Sequence, residues 1–281
     1  MTKGTFHLMT DSEGVQFLQW CLPRLHLRWP GFRKVRRQVY KRINRRLQQL
    51  QLPNIDAYRD YLEDHPAEWA TLDTSCWISI SRFYRDRSVF QYLESDVLPQ
   101  LAQCVAAGQG QELRCWSAGC AGGEEPYTLA IIWKQSLASR YPMLQFHVVA
   151  TDIDPRAIQR AQRACYHASS VKQLPVKWRN PAFETIDDEL CLKDEYRGPV
   201  TFMVQNIREA MPQGAFHLIL CRNLVFTYFD EASQQEIVQR LTNKLLAGGA
   251  LLIGKLESLP QGSGEIEPWS IRMGAFRKPL L

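Results

Sequence analysis

Leu113-Arg-Cys-Trp-Ser117-Ala-Gly-Cys-Ala-Gly-Gly-Glu-Glu-Pro-Tyr127 is the stretch around which the rest of the chain is organised. An apolar-leaning run, Leu113 to Trp116, enters a turn of small residues, Ser117 to Gly123. Two carboxylates follow, then Pro126 near a helix start, then a helical run from Tyr127 to Leu137. Strand, glycine turn and helix form the unit that sets a backbone turn against a nucleotide-like ligand. The spacing is not G-x-G-x-x-G, which weakens a pyrophosphate reading. Two glutamates beside a helix start argue against a phosphate as well.

A ligand with a cationic end suits Glu124 and Glu125 better. S-adenosyl-L-methionine carries an amine and a sulfonium and no phosphate. From the turn alone, an ordinary strand-to-helix loop stays open as the alternative.

Outward toward the C-terminus, strands and helices alternate, the mark of an α/β doubly wound sheet. Phe146 to Thr151 is a second strand ending in Asp152-Ile-Asp154, and Pro155 opens a helix. An acid there, roughly 20 residues or more past the glycine turn, is placed to hold a ribose diol. Asp154, directly before Pro155, is the better helix cap, which leaves Asp152 for a ligand. Val200 to Val204 ends in Gln205-Asn206-Ile207, and Phe216 to Cys221 ends in Arg222-Asn223. A helix from Glu231 to Leu246 closes at Ala247-Gly248-Gly249, Ala250 to Gly254 is a fifth strand, and Ile266 to Phe276 supplies a hairpin at the sheet edge. Ligands of such sheets lie beyond the carboxyl ends of the strands, where these polar residues gather.

Outward toward the N-terminus, residues 11 to 100 read as helical. Phe32, Val35, Val39, Ile43, Leu47 and Leu50 recur at helical spacing. Between them lie Arg33, Lys34, Arg36, Arg37, Lys41, Arg42, Arg45 and Arg46, with no acid among them, so they repel one another unless an anionic partner is near. That basic helix, 33–46, fits an acidic protein helix, RNA or a membrane surface, and the residues do not choose. Gly108 to Gln111 reads as a hinge, dividing a helical domain, 1–107, from an α/β domain, 108–281.

The chain of 281 residues, 45% hydrophobic and with a net charge of +5, has room for such a core and is too mildly basic to imply nucleic acid by itself. Its eight cysteines show no C-x-x-C and no paired histidine spacing, which argues against zinc. They read as small buried hydrophobes in a reducing compartment. The first residues, Met-Thr-Lys-Gly-Thr-Phe-His, hold no apolar leader, and no stretch is long enough to span a bilayer, so a cytoplasmic location is expected.

Trp116 to Tyr127, Ala150-Thr-Asp-Ile-Asp154, Cys221-Arg-Asn223 with Tyr228-Phe-Asp230, and Gly248-Gly249 with Glu257-Ser258 together resemble the chemotaxis receptor methyltransferases, the CheR type. Arg82-Phe-Tyr-Arg-Asp86, followed by Phe90 and Val97-Leu-Pro99, is similar to that family's Phe-Phe-Arg-Asp segment. The resemblance runs from about residue 12 to the C-terminus. It implies a class I S-adenosylmethionine-dependent methyltransferase fold, a Rossmann-like doubly wound mixed sheet, with an N-terminal helical domain and a small antiparallel β insertion at 171–199. It implies methyl transfer to receptor glutamates, leaving methyl esters and S-adenosyl-L-homocysteine, with no metal. By motif, Ser79, Ser81 and Arg85 would line the cofactor. Ala118, Gly119 and Glu124 would hold its methionine end, and Asp152 and Ile153 its ribose. Asn206 and Ile207 would flank the adenine, and Cys221, Arg222 and Asn223 would floor the site near the methyl group. Tyr228 would sit at the substrate mouth, with Arg85 or Arg222 orienting the acceptor carboxylate. The basic helix would meet an acidic methylation helix.

The chain departs from the family pattern at Ser79 and Ser81 (usually Asn and Thr), at Tyr84, at His217, in a segment before Tyr228 that is longer by one residue, and at Gly254-Lys-Leu-Glu257 in place of Gly-His-Ser-Glu. These changes bear on the acceptor side more than on the cofactor. Two other readings stay open: the same fold acting on RNA or a small-molecule acid, although no aromatic platform accompanies the basic helix, and a non-catalytic module that binds the cofactor as a signal.

Overall fold

The computed structural model describes residues 7–280; the leader expectation made for Met1 to Phe6 lies outside them. The chain forms two compact units. One runs to Ile78 and takes in Thr227–Glu231, and the other is made of Ser79–Phe226 and the chain from Ala232 onward. The boundary therefore falls at residue 78 rather than at the expected hinge. The reason is packing: Phe90, Leu93, Val97 and Leu101 bury themselves in the same core as Leu113 and Cys115 of the first strand.

The first unit is helical. Thr10 caps the helix Asp11–Cys21 through a reciprocal pair with Glu13, satisfying amides that the first turn leaves unbonded. After a short helix, Trp29–Phe32, the basic helix runs over Arg36–Gln49 and buries Val39, Tyr40, Ile43 and Leu47 at three- and four-residue spacing. Its cations divide by direction. Arg36 pairs with Asp11, Arg46 grips Glu68 with two bonds of 2.8 and 2.7 Å, and Arg42 donates to the carbonyls of Ser75 and Trp77. Burial pushes the Glu68 carboxyl up, but its bonds from Arg46 and Tyr58 outweigh this and hold it below the usual carboxylate range. Arg33, Lys34, Arg37, Lys41 and Arg45 stay exposed. Residues 37, 41 and 45 follow one another at intervals of four, the interval that keeps helical side chains on one face, while Arg33 and Lys34 lie in the turn before the helix. The acids that relieve the expected repulsion thus come from other helices, and they reach only part of the run. Thr227–Glu231 joins this unit by backbone bonds: Arg28 N donates to Tyr228 O (2.8 Å) and Asp230 N to His26 O (3.0 Å).

The second unit holds ten strands: β1 Glu112–Ala118, β2 Gln145–Asp152, β3 Cys165–Tyr166, β4 Phe183–Ile186, β5 Glu189–Leu192, β6 Val200–Val204, β7 Phe216–Cys221, β8 Leu245–Ile253, β9 Glu267–Ser270 and β10 Ala275–Arg277. Seven make one sheet in the order β6-β2-β1-β7-β8-β10-β9. The five from β6 to β8 are parallel, and β10 and β9 close the far edge as an antiparallel hairpin. Near-continuous burial of β1, β2 and β7 fits a sheet covered on both faces. One boundary moves. The helix Glu231–Lys244 stops early, and Leu245 to Gly249 already belong to β8. There the register slips: Phe216 faces Leu245 but Leu218 faces Ala250. Gly248, at φ +73°, takes up the extra residues in a left-handed conformation that a side chain would strain.

The remaining strands form a small antiparallel sheet in the order β3-β5-β4. It begins at Cys165, earlier than the insertion expected at 171–199. Cys165 and Cys191, directly opposite in the β3–β5 ladder, are joined as a disulfide, contrary to the reading of the cysteines as small buried hydrophobes in a reducing compartment. Among the described residues, no helix is long and apolar enough to cross a membrane, and no cluster of His, Cys, Asp and Glu is arranged to hold a metal.

Candidate functional site

β1 delivers Ser117 and Ala118 to the carboxyl edge of the sheet, where the chain turns. Gly119 (φ +74°) and Gly123 (φ +87°) supply the left-handed backbone this turn requires. Its shape is held by its neighbours. The amides of Gly119 and Cys120 donate to Thr151 O at 2.8 and 2.9 Å. The Tyr166 hydroxyl, from β3, donates to Gly122 O at 2.7 Å. Asp152, at the tip of β2, accepts from Ala121 N (2.8 Å) and from Asp154 N (2.9 Å). Burial raises the Asp152 carboxyl above its ordinary range, and those two amides partly offset the effect. Each carboxylate oxygen keeps a further lone pair, so Asp152 can still accept from a diol. Asp154 caps the helix Pro155–Arg163 by accepting from Arg156 N, the role expected of it.

The two glutamates after the turn behave differently. Glu125 is closed in: Ser117 Oγ donates to it at 2.8 Å and Arg222 Nη1 at 2.8 Å. The same guanidinium reaches Asp86 Oδ2 (2.7 Å) and the Arg85 carbonyl (3.1 Å), and lies over the Phe90 ring. The Arg222 side chain is 2% exposed, so this is a buried ionic network tying β1, the helix after the turn, the tip of β7 and the 79–86 segment. Arg222 therefore does not serve as the expected clamp for an acceptor carboxylate, because protein carboxylates already occupy it. Glu124 is as deeply placed yet open. Its Oε2 is buried and has no hydrogen-bond partner. Burial raises its carboxyl above the usual range, against the pull of nearby backbone amides, Arg160 and Ser81.

The other expected residues gather around this edge. Ala118 is buried and Gly119 half-buried at the turn, with Ile153 half-buried beside Asp152. Ser79, Ser81 and Arg85 are half-buried on one segment, and Arg85 Nη1 donates to Ile80 O at 2.9 Å. Asn206 forms a local turn, accepting from Arg208 N and donating to Glu209, with Ile207 buried next to it. Cys221 is fully buried at the tip of β7, its thiol pushed up by burial. Asn223 takes a left-handed backbone (φ +54°), and its amide donates to Glu257 Oε2 at 2.9 Å. The same oxygen accepts from Gly254 N, so Glu257 binds the tips of β7 and β8 together. Tyr228 falls in the helical unit, its ring 5.1 Å from that of Phe32.

Sequence reasoning gave no role to Asp86 or Gln205, and it offered Glu125 to a ligand rather than to Arg222. Glu125 and Asp86 are the carboxylates that occupy Arg222, and Gln205 ends with its Oε1 buried and unbonded beside the tip of β2. Two unfilled buried acceptors, Glu124 Oε2 and Gln205 Oε1, fit a ligand that brings donors, as an ammonium and an adenine amine do.

Residues 79–274 match the family described as "CheR methyltransferase, SAM binding domain", and residues 34–72 match "CheR methyltransferase, all-alpha domain". A "Probable chemotaxis protein methyltransferase" of Rhizobium etli is 32% identical over 237 residues, covering 81% of this chain and 85% of that protein. An uncharacterized 104.1 kDa protein of Rhodobacter capsulatus is 31% identical over 83% of this chain, and a "Chemotaxis protein methyltransferase" of Listeria innocua is 32% identical over 65% of it. The chain spans 24% of the Rhodobacter protein and 66% of the Listeria one.

Proposed function

This chain belongs to the CheR methyltransferase family, and from that premise we propose that it transfers the methyl group of S-adenosyl-L-methionine to a glutamate side chain of a chemoreceptor, forming a methyl ester. The observation that carries this reading is the open Glu124 carboxylate beside the glycine turn, at the carboxyl edge of a doubly wound sheet. Glu124 would take the cofactor's ammonium, Asp152 its ribose hydroxyls, and Asn206, Ile207 and Gln205 its adenine. When bound, the cofactor supplies a methyl on a sulfonium, open to displacement by an oxygen nucleophile.

The chain's own task is then positioning and exclusion of water. A carboxylate acceptor is ionised at neutral pH, so no residue need remove a proton. The Glu125–Arg222–Asp86 network holds the floor in shape without gripping the acceptor. A tight clamp on that carboxylate would stabilise the ground state and slow transfer. Arg85, which spends one N–H on Ile80 O, keeps donors with which it would orient the acceptor. The exposed cations Arg33, Arg37, Lys41 and Arg45 suit an acidic helix of the receptor laid along them, an association that weakens with salt.

Calorimetry and a transfer assay test the reading together. S-adenosyl-L-homocysteine should bind the purified protein, and Asp152→Ala should abolish that binding. Label from the methyl group should appear on receptor protein and be released by mild base. Label on RNA, or none at all, would overturn the assignment of the acceptor.

A further inference from the structure

Gly122 sits in a space that nothing larger could share. A Cβ there would stand 2.6 Å from Arg160 Nε, 2.9 Å from Arg160 Nη2 and 3.0 Å from Glu124 Oε2. A guanidinium and an unbonded, buried carboxylate oxygen thus both pack against the glycine turn, in the place where any other residue would carry a side chain. Arg160 comes from the helix Pro155–Arg163, where it is exposed to solvent, and among the described residues its side chain makes no hydrogen bond or ion pair. The other arginines of this edge are engaged: Arg85 on the Ile80 carbonyl, Arg222 on Glu125 and Asp86.

We propose that Arg160 and Glu124 together read the amino-acid end of the cofactor, Glu124 taking its α-ammonium and Arg160 its α-carboxylate. An α-amino acid carries its two charges on one carbon, so its reader needs an anion and a cation a few ångströms apart. The two flanks of Gly122 meet that requirement. A guanidinium is also the cation best shaped for a carboxylate, because its fork of N–H donors matches the two oxygens. Arg160 lowers the cost of keeping both Glu124 and Asp152 ionised in a buried site, since its charge draws each carboxyl down against the push of burial. This assignment rests on the methyltransferase reading and adds a cofactor-binding residue that the motifs do not mark.

The test compares two ligands that differ only at that end: S-adenosyl-L-homocysteine, with the amino acid, and 5′-methylthioadenosine, without it. Calorimetry on the full chain should show wild type preferring the first. Arg160→Gln should weaken S-adenosyl-L-homocysteine roughly 10-fold or more, the usual worth of a charge-assisted pair, and weaken methylthioadenosine by a distinctly smaller factor. Arg160→Lys should recover part of the loss. The assignment is overturned if Arg160→Gln binds S-adenosyl-L-homocysteine as tightly as wild type, or if both ligands weaken by the same factor. Wild-type protein that binds neither ligand overturns the methyltransferase reading itself, and this assignment with it.

Discussion

Glu124 and Glu125 are neighbours in sequence, both within reach of an arginine, and they lie in opposite regimes. Around Glu125 the carboxylate is matched: Ser117 and Arg222 Nη1 fill its oxygens, and Asp86 with the Arg85 carbonyl takes Arg222 Nη2, leaving Nε as the one unbonded nitrogen of that side chain. Around Glu124 one oxygen stays unfilled and the nearby Arg160 stays unbonded. The first corner fixes geometry, and the second is the one we propose a ligand completes. A buried carboxylate held by an arginine is thus not a sign of a binding site. Incomplete pairing is the better sign, because an unmet buried acceptor costs free energy that only a partner recovers. The helix Arg36–Gln49 repeats the division, with Arg36, Arg42 and Arg46 bonded to the protein and Arg37, Lys41 and Arg45 left exposed.

Four variants can break or sharpen this contrast. Arg222→Ala should do the most harm, lowering unfolding free energy by about 3–5 kcal/mol in urea titrations, because two carboxylates lose their counter-ion at once. Glu125→Gln should cost about 1–3 kcal/mol by the same measurement, since the neutral amide leaves Arg222 partly unmatched. Glu124→Gln should act in the other direction. The Glu124 carboxyl is raised in the folded chain, so its ionisation opposes folding as pH rises through that range. Ligand-free Glu124→Gln should therefore melt higher than wild type at pH 7, and the advantage should vanish as pH falls into the ordinary carboxylate range. Equal melting at all pH values would refute the contrast. The smallest effect on stability, within about 0.5 kcal/mol, belongs to Lys41→Glu with Arg45→Glu. That pair should instead raise the KM for receptor methylation and reduce its salt dependence.

The strand tips were legible in the sequence because apolar runs of five or six residues end abruptly in polar ones, and β6 and β7 match those runs residue for residue. Asp154 was legible as a cap because Pro155 follows it. The division of labour between Glu124 and Glu125 was not, since one step along a helix turns a side chain by about 100° and only the fold says what it then meets. Arg222 finds its partners 97 and 136 residues away, which no local pattern announces. The pairing of Cys165 with Cys191 depends likewise on the β3–β5 register, and the cation run of 33–46 gave no hint that acids from distant helices would claim some members and spare others.

Thr227–Glu231 ties the later chain back into the helical unit, where Leu27 bridges Phe229 and the Phe32 ring meets Tyr228. The polypeptide therefore passes between its two units three times, after Ile78, after Phe226 and after Glu231. Neither piece is a cassette. A chimaera that exchanged residues up to Ile78 with those of a relative would strand the five-residue graft among foreign helices. A working swap must transplant both segments together, and surviving recombinants should inherit 227–231 from the same parent as the amino-terminal helices.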